Sequence, residues 1–157
     1  MYALDEIDIE ILRALQTDGR MPVTQLSNQL GVPHTTVRDR IRKMEEGGVL
    51  QRYVALIDPT EVGLTVCGYA MLTLDQRVET SLAIEALRSI PEVTEVYLLT
   101  GDVDALVKIW ARDIQHLSKI LYQKFNRIPG LVRMSTALVL NEAVKPERLP
   151  LDIMRPG

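Results

Sequence analysis

Between Pro22 and Val49 the chain reads PVTQLSNQLGVPHTTVRDRIRKMEEGGV. Two short amphipathic helical patterns flank a tight Gly31-Val32-Pro33 turn, and the second carries Arg38, Arg40, Arg42 and Lys43. That layout predicts a helix-turn-helix, whose second helix lies in the DNA major groove. It points to transcription control rather than catalysis.

The spacing places one helix over about Val23 to Leu30, with Leu26 and Leu30 inward. A further helix runs from about His34 to Glu46, with Val37, Ile41 and Met44 inward and Gly47-Gly48 as its stop. Ahead of both, Asp5 caps a first helix with Asp8 as its capping-box partner, and Leu4 and Ile9 form a hydrophobic staple. Its stripe is Ile7, Ile11, Leu12 and Leu15, and Gly19 is the expected stop.

Charge does not mark this half as basic. The chain holds 18 Lys+Arg against 21 Asp+Glu, a net charge of −3. Residues 1–62 carry seven basic and ten acidic side chains, so the acids dominate where DNA would bind. Position matters more than the total. The acids gather at Asp5, Glu6, Asp8 and Glu10, whereas between His34 and Lys43 four cations meet Asp39 alone. A local basic face on an acidic body follows, with modest non-specific affinity for DNA.

Val49 to Ile57 alternates like a strand, which suggests a wing, and Asp58-Pro59 opens a turn towards Gly63. From Leu64 the texture changes. Leu64, Val66, Gly68, Ala70, Leu72 and Leu74 alternate as in a strand, and Glu79 to Ile90 has helical spacing. Val93 to Thr100 and Val103 to Ala111 read as strands joined across Gly101-Asp102. Ile114 to Ile128 is helical in pattern, Pro129-Gly130 stops it, and Leu131 to Leu140 is a last strand. The order is β-α-β-β-α-β, a split βαβ arrangement. The expected fold class is α+β: a winged helix-turn-helix over residues 1–48, wing and linker over 49–63, a ferredoxin-like βαββαβ domain over 64–142, and an irregular tail over 143–157.

At 46% hydrophobic residues the chain can bury a core. No apolar run approaches the roughly 20 residues of a membrane span, and the acidic start MYALDEIDIE is unlike a signal peptide. One cysteine, Cys67, leaves no internal disulfide framework, and its apolar neighbours make a buried thiol the expectation. A soluble cytoplasmic protein without a membrane partner is expected.

With both halves laid out, the chain resembles the Lrp/AsnC family, the feast/famine regulators of bacteria and archaea. The first half matches at Leu4-Asp5, Asp8, Ile11-Leu12, Asp18-Gly19-Arg20, Leu26, Gly31, Val37, Arg40-Ile41, Glu45, Gly48-Val49 and Asp58-Pro59. The second half matches at Gly101 with Asp104, Ile128-Pro129-Gly130 and Thr136. Pro22 and Pro33 stand where the family usually has Ser or Thr, so two capping hydroxyls are absent. Val103 stands where family members often have an aromatic residue.

The DNA-contact candidates are His34, Thr35, Thr36, Arg38, Asp39 and Arg42. Arginine offers a fork to guanine, and threonine can meet phosphate or a thymine methyl. Arg40 instead suits a salt bridge to an acid of the first helix. The resemblance implies a pocket for a free amino acid near Leu99, Thr100, Gly101, Asp102, Val103 and Asp104, walled also by Thr136, between neighbouring dimers. Asp102 equally suits a plain tight turn. Tyr69, Met71, Tyr97 and Trp110 suit a core or a sheet-packing interface. The resemblance favours dimers formed through sheet faces and joined into tetramers or octamers, with double-stranded DNA and an amino acid as partners and no other cofactor. An effector-independent architectural DNA-binding protein is the alternative. A siroheme-decarboxylase-like enzyme is disfavoured, because only His34 and His116 are present and they do not converge.

Overall fold

The computed structural model describes residues 3–141 and 149–153. They divide into two units, residues 3–56 with 149–153, and residues 57–141.

The first unit holds α1 (Glu6–Thr17), α2 (Val23–Leu30) and α3 (His34–Glu46). Asp5 caps α1 and exchanges the reciprocal bonds of a capping box with Asp8. The stop falls earlier than Gly19: α1 ends at Thr17, and the Asp18 N–H closes it on the Ala14 carbonyl. Pro22 and Pro33 open α2 and α3 without a side-chain cap, as their missing hydroxyls require. Gly31 ends α2 at φ 66°, a left-handed turn that costs glycine little. The hydroxyl of Ser27 then donates to the Val32 carbonyl at 2.6 Å and ties the turn to α2. Ile11, Leu26, Val37 and Met44 are fully buried at the centre of the three helices.

Two expectations about this unit change. Residues 49–57, read as a wing strand, form neither helix nor strand and join no sheet among the described residues. Their apolar side chains Val54, Leu56 and Ile57 are exposed. A strand needs a partner edge to satisfy its backbone, and alternation in sequence does not supply one. The tail is also not wholly irregular. Leu151–Ile153 form one 3-10 turn, and Leu151 is buried in the cluster of α1, α2 and α3. The Leu149 N–H donates to Gln16 Oε1 at 2.6 Å. The remainder of the expected tail lies outside the described residues.

The second unit contains β1 (Val66–Leu74), α4 (Thr80–Arg88), β2 (Val93–Leu98), β3 (Ala105–Ala111), α5 (Ile114–Gln123) and β4 (Leu131–Leu138). The strand order is β2-β3-β1-β4 and every neighbouring pair is antiparallel. This is the ferredoxin-like arrangement expected, with each βαβ crossover split by an intervening strand. The elements are one to a few residues shorter than their sequence patterns, and the end of the last helix tightens into a 3-10 turn at Phe125–Arg127. Ala70, Leu72, Val107 and Ile109 face Ala83, Leu87, Leu117 and Ile120, and Phe125 closes the core. Period two then sends Tyr69, Met71, Leu106 and Trp110 to the opposite face of the sheet.

Candidate DNA-binding face and ligand site

Burial of Val37 and Met44 sets the roll of α3, and one ion cluster holds it there. Arg40 Nη1 donates to Asp5 Oδ2 at 2.6 Å and to Asp8 Oδ1 at 2.9 Å. The same two carboxylates accept each other's backbone N–H at the start of α1. One arginine of α3 is therefore fastened to the capping box of α1, as the sequence suggests. The Asp8 N–H, followed by the Arg40 guanidinium, holds the Asp5 carboxyl below the usual carboxylate range. Asp8 and then Asp5 raise the Arg40 guanidinium in turn.

With Arg40 turned inward, the outer face of α3 presents His34, Thr35, Arg38, Asp39 and Arg42, all exposed, while Thr36 is half-buried. Arg42 and Asp39 form a pair at 3.4 Å between side chains that are 62% and 61% exposed. A solvated pair of that kind is worth little and yields readily to a phosphate or a base. Lys43 adds another exposed cation at the C-terminal end, where the helix dipole also favours it.

The residues expected to hold an effector fall into two groups. Leu99, Thr100, Gly101 and Asp102 are exposed on the β2–β3 hairpin, and Val103 and Asp104 are half-buried. Gly101 has φ 119°, which a side chain would oppose. Among the described residues, no acceptor meets the N–H groups of Gly101, Asp102 and Val103. Asp104, however, is already engaged. Its Oδ2 accepts the Leu74 N–H at 2.7 Å and its Oδ1 accepts Gln76 Nε2 at 3.1 Å. Its own N–H donates to the Leu72 carbonyl at 2.9 Å. Asp104 thus braces the hairpin against the end of β1, a task that spacing alone did not reveal.

Thr136 lies elsewhere. It pairs with Ala70 on β4, and the sheet order places β3 and its hairpin across β1 from it. Within one chain the two groups do not meet. Thr136 instead lines a groove of about 340 Å³ between α5 and β4. From α5, Ile114, Leu117, Leu121 and Tyr122 form one wall, and Met134 and Leu138 of β4 form the other. Ser118 and Asn126 complete it. These α5 residues escaped the sequence reading, because a helix rim that meets a strand edge has no signature in either segment.

The face of the sheet opposite the helices gathers Tyr69, Met71, Tyr97 and Trp110, the residues expected in a packing interface. Lys108 sits 5.9 Å above the Trp110 ring and pairs with Glu95 at 3.3 Å. Glu95 also accepts the Tyr97 hydroxyl at 2.7 Å and raises that phenol's pKa. His116 is half-buried, and its Nε2 lies 3.4 Å from Glu92. Lys124 pairs with the same carboxylate at 2.6 Å. Burial works to raise the Glu92 carboxyl, but Lys124 and His116 outweigh it and leave it lowered. His34 and His116 belong to different units.

Known proteins resemble the chain along nearly all of its length. Residues 4–45 match the AsnC-type helix-turn-helix domain, and residues 68–149 match the Lrp/AsnC ligand binding domain. The HTH-type transcriptional regulator FL11 of Pyrococcus horikoshii is 34% identical over 94% of this chain and 97% of its own. The proline dehydrogenase transcriptional activator of Rhodobacter capsulatus is 34% identical over 90% of this chain and 94% of its own. Among solved structures, an AsnC family transcriptional regulator from Agrobacterium tumefaciens superposes with a TM-score of 0.90 at 32% identity, covering 97% of this chain and 100% of its own. A transcriptional regulator of Neisseria meningitidis, solved as a complex with L-Met, gives 0.91 at 26% identity over 95% of this chain and 97% of its own.

Proposed function

This chain belongs to the Lrp/AsnC family of DNA-binding transcriptional regulators and carries that family's ligand-binding domain; from that premise we propose that it is a sequence-specific regulator whose assembly or DNA affinity responds to a free amino acid. The observation that carries the DNA reading is the sorting of arginines on α3. Arg40 is tied to α1, whereas Arg38 and Arg42 point outward with Thr35 and His34. Arg38 and Arg42 would meet base edges, with Asp39 orienting Arg42 and the threonines on the backbone.

A dimer is the unit this reading needs, because paired half-sites call for two recognition helices about one or more turns of DNA apart. The sheet face opposite α4 and α5 would supply its interface, since Tyr69, Met71 and Trp110 gather there. Dimers would then join into a tetramer or octamer. The two half-sites for the effector fit that assembly. The hairpin of one copy offers backbone N–H groups to a ligand carboxylate, and the α5–β4 groove of another offers room for its side chain. The L-Met complex of the relative from Neisseria meningitidis supports an amino acid as the ligand. A cytoplasmic setting suits a DNA-binding protein, and among the described residues no helix is long and apolar enough to cross a membrane.

Selection of bound duplexes from a random library, at two salt concentrations, tests the DNA reading. Enrichment of a two-fold symmetric motif is expected. Binding without sequence preference, with a steep salt slope, would replace it with the architectural role. Ligand affinity measured with and without the selected DNA then tests coupling, and equal affinities would rule it out.

A further inference from the structure

Resting on the DNA reading above, we propose that Asp39 and Arg42 read one G·C base pair together, Arg42 taking the guanine and Asp39 its paired cytosine. Val37 and Met44 are fully buried and mark the inward side of α3. At about 100° of turn per residue, Thr35, Asp39 and Arg42 gather opposite them, on the line that enters a groove furthest. Arg38 lies on one flank of that line and Lys43 on the other. Asp39 therefore sits at the centre of the contact face. Glu46 falls on the same line near the end of α3, beyond the N-terminal residues with which such a helix reaches base edges.

A carboxylate at that place opposes DNA binding in general. The phosphates repel it, and pressing it against another acceptor strips its water and returns no donor. In the major groove guanine presents N7 and O6, and thymine presents O4, all acceptors. Cytosine N4 offers a donor there, and so does adenine N6. The neighbour of Asp39 decides between them. Arg42 Nη2 lies 3.4 Å from Asp39 Oδ1. The fork of a guanidinium takes two adjacent acceptors, which guanine supplies and adenine does not. Guanine O6 and cytosine N4 are hydrogen-bonded to each other, about 3 Å apart. Two side-chain ends 3.4 Å apart can meet both at once. Across a G·C pair the groove reads acceptor, acceptor, donor, whereas an A·T pair reads acceptor, donor, acceptor. Only the first order suits an arginine beside an aspartate.

The test selects duplexes from a random library with the full chain as wild type, Asp39→Ala, Asp39→Asn and Glu6→Ala. Asp39 is 61% exposed, so its loss does not threaten the fold. Glu6 is an exposed acid of α1, and its variant controls for the loss of one negative charge. Wild type should require G·C at one position of each half-site, about ten-fold over A·T. Asp39→Ala should narrow that preference several-fold. Asp39→Asn should admit A·T, because an amide pairs with adenine. Glu6→Ala should select as wild type does. Affinity is then measured on the selected duplex with N4-methylcytosine at that position, which removes the groove-side N–H and leaves guanine untouched. Wild type should weaken about ten-fold and Asp39→Ala hardly at all. A loss of equal size in both proteins, or in neither, overturns the cytosine contact and leaves the DNA reading intact. A wild type that selects no motif removes the sequence-specific reading, and this inference with it.

Discussion

The DNA-binding unit and the sheet unit build their sites in opposite ways. On α3 the candidate contacts run from His34 to Arg42 within one helix, and helical spacing alone decides which of them face outward. In the sheet unit the candidate ligand residues sit on a hairpin, a helix and an edge strand, and one chain does not bring them together. A site on a single helix needs only that helix to be rolled correctly, so a single cluster such as Arg40 with Asp5 and Asp8 suffices. A site spread over several elements needs the sheet register and, in the proposed function, a second copy. The first can be read one residue at a time, whereas the second is a property of assembly.

Substitutions sharpen that contrast. Arg38→Ala with Arg42→Ala should cost roughly 2–6 kcal/mol of DNA binding, from about 1–3 kcal/mol for each base-reading arginine. Fluorescence anisotropy on the selected duplex measures it. Thermal stability and ligand titration should be unmoved, and a loss of either would show that the face is structural.

Leu151→Ala tests whether the tail belongs to the DNA-binding unit. Its side chain is 7% exposed, so about 2–3 kcal/mol of stability should vanish from that unit. Amide exchange would then speed up in α1, α2 and α3 and stay slow in the sheet. Uniform protection in both units would mean that the tail contributes nothing there.

Arg40→Met removes the cation shared by Asp5 and Asp8. Asp8 is 1% exposed but Arg40 is 23% exposed, so the loss should be about 2 kcal/mol, below that of a fully buried pair. DNA affinity should fall with it, because α3 loses the anchor that sets its roll. Unchanged affinity in a folded Arg40→Met protein would assign that roll to Val37 and Met44 alone.

Acid provides the smallest effect. The folded-state pKa of Asp5 lies below its ordinary 3.8, so its contribution is present above that value and is lost as pH falls through the folded one. Denaturant titrations should show this loss below about pH 4. Asp5→Asn keeps the cap acceptor and removes the charge. Because Asp5 is half exposed, it should cost only about 0.2–1 kcal/mol at neutral pH. It should also flatten the acid limb. An acid limb identical to wild type would give that role to another carboxylate, with Glu92 in the sheet unit, also lowered, as the next to examine.

Much of the fold was legible because its signals are local. The Asp5–Asp8 capping box, the Gly31 turn and the β-α-β-β-α-β order each rest on a few neighbouring residues. The bond from Arg40 to the first helix was legible for a different reason: the family resemblance carries a pair 32 residues apart that periodicity would not find. Three readings failed or were incomplete where a distant segment decides. Val49 to Ile57 alternates like a strand yet joins no sheet among the described residues. Leu151, in a stretch rich in prolines, is nevertheless buried against α1. Asp104, expected beside the effector, also accepts from Leu74 and Gln76 of its own chain, a bracing role that spacing does not record.

The one-dimensional pattern therefore settled which segments are helices and strands, which face of α3 is basic, and which family the chain resembles. Each of those depends on spacing along the chain, and spacing is what a sequence records. The groove between α5 and β4, the separation of Thr136 from the hairpin and the gathering of Tyr69, Met71 and Trp110 on one face came only from packing. They depend on which strand lies beside which, and strand order is decided by burial of the whole core rather than by any single stretch of it.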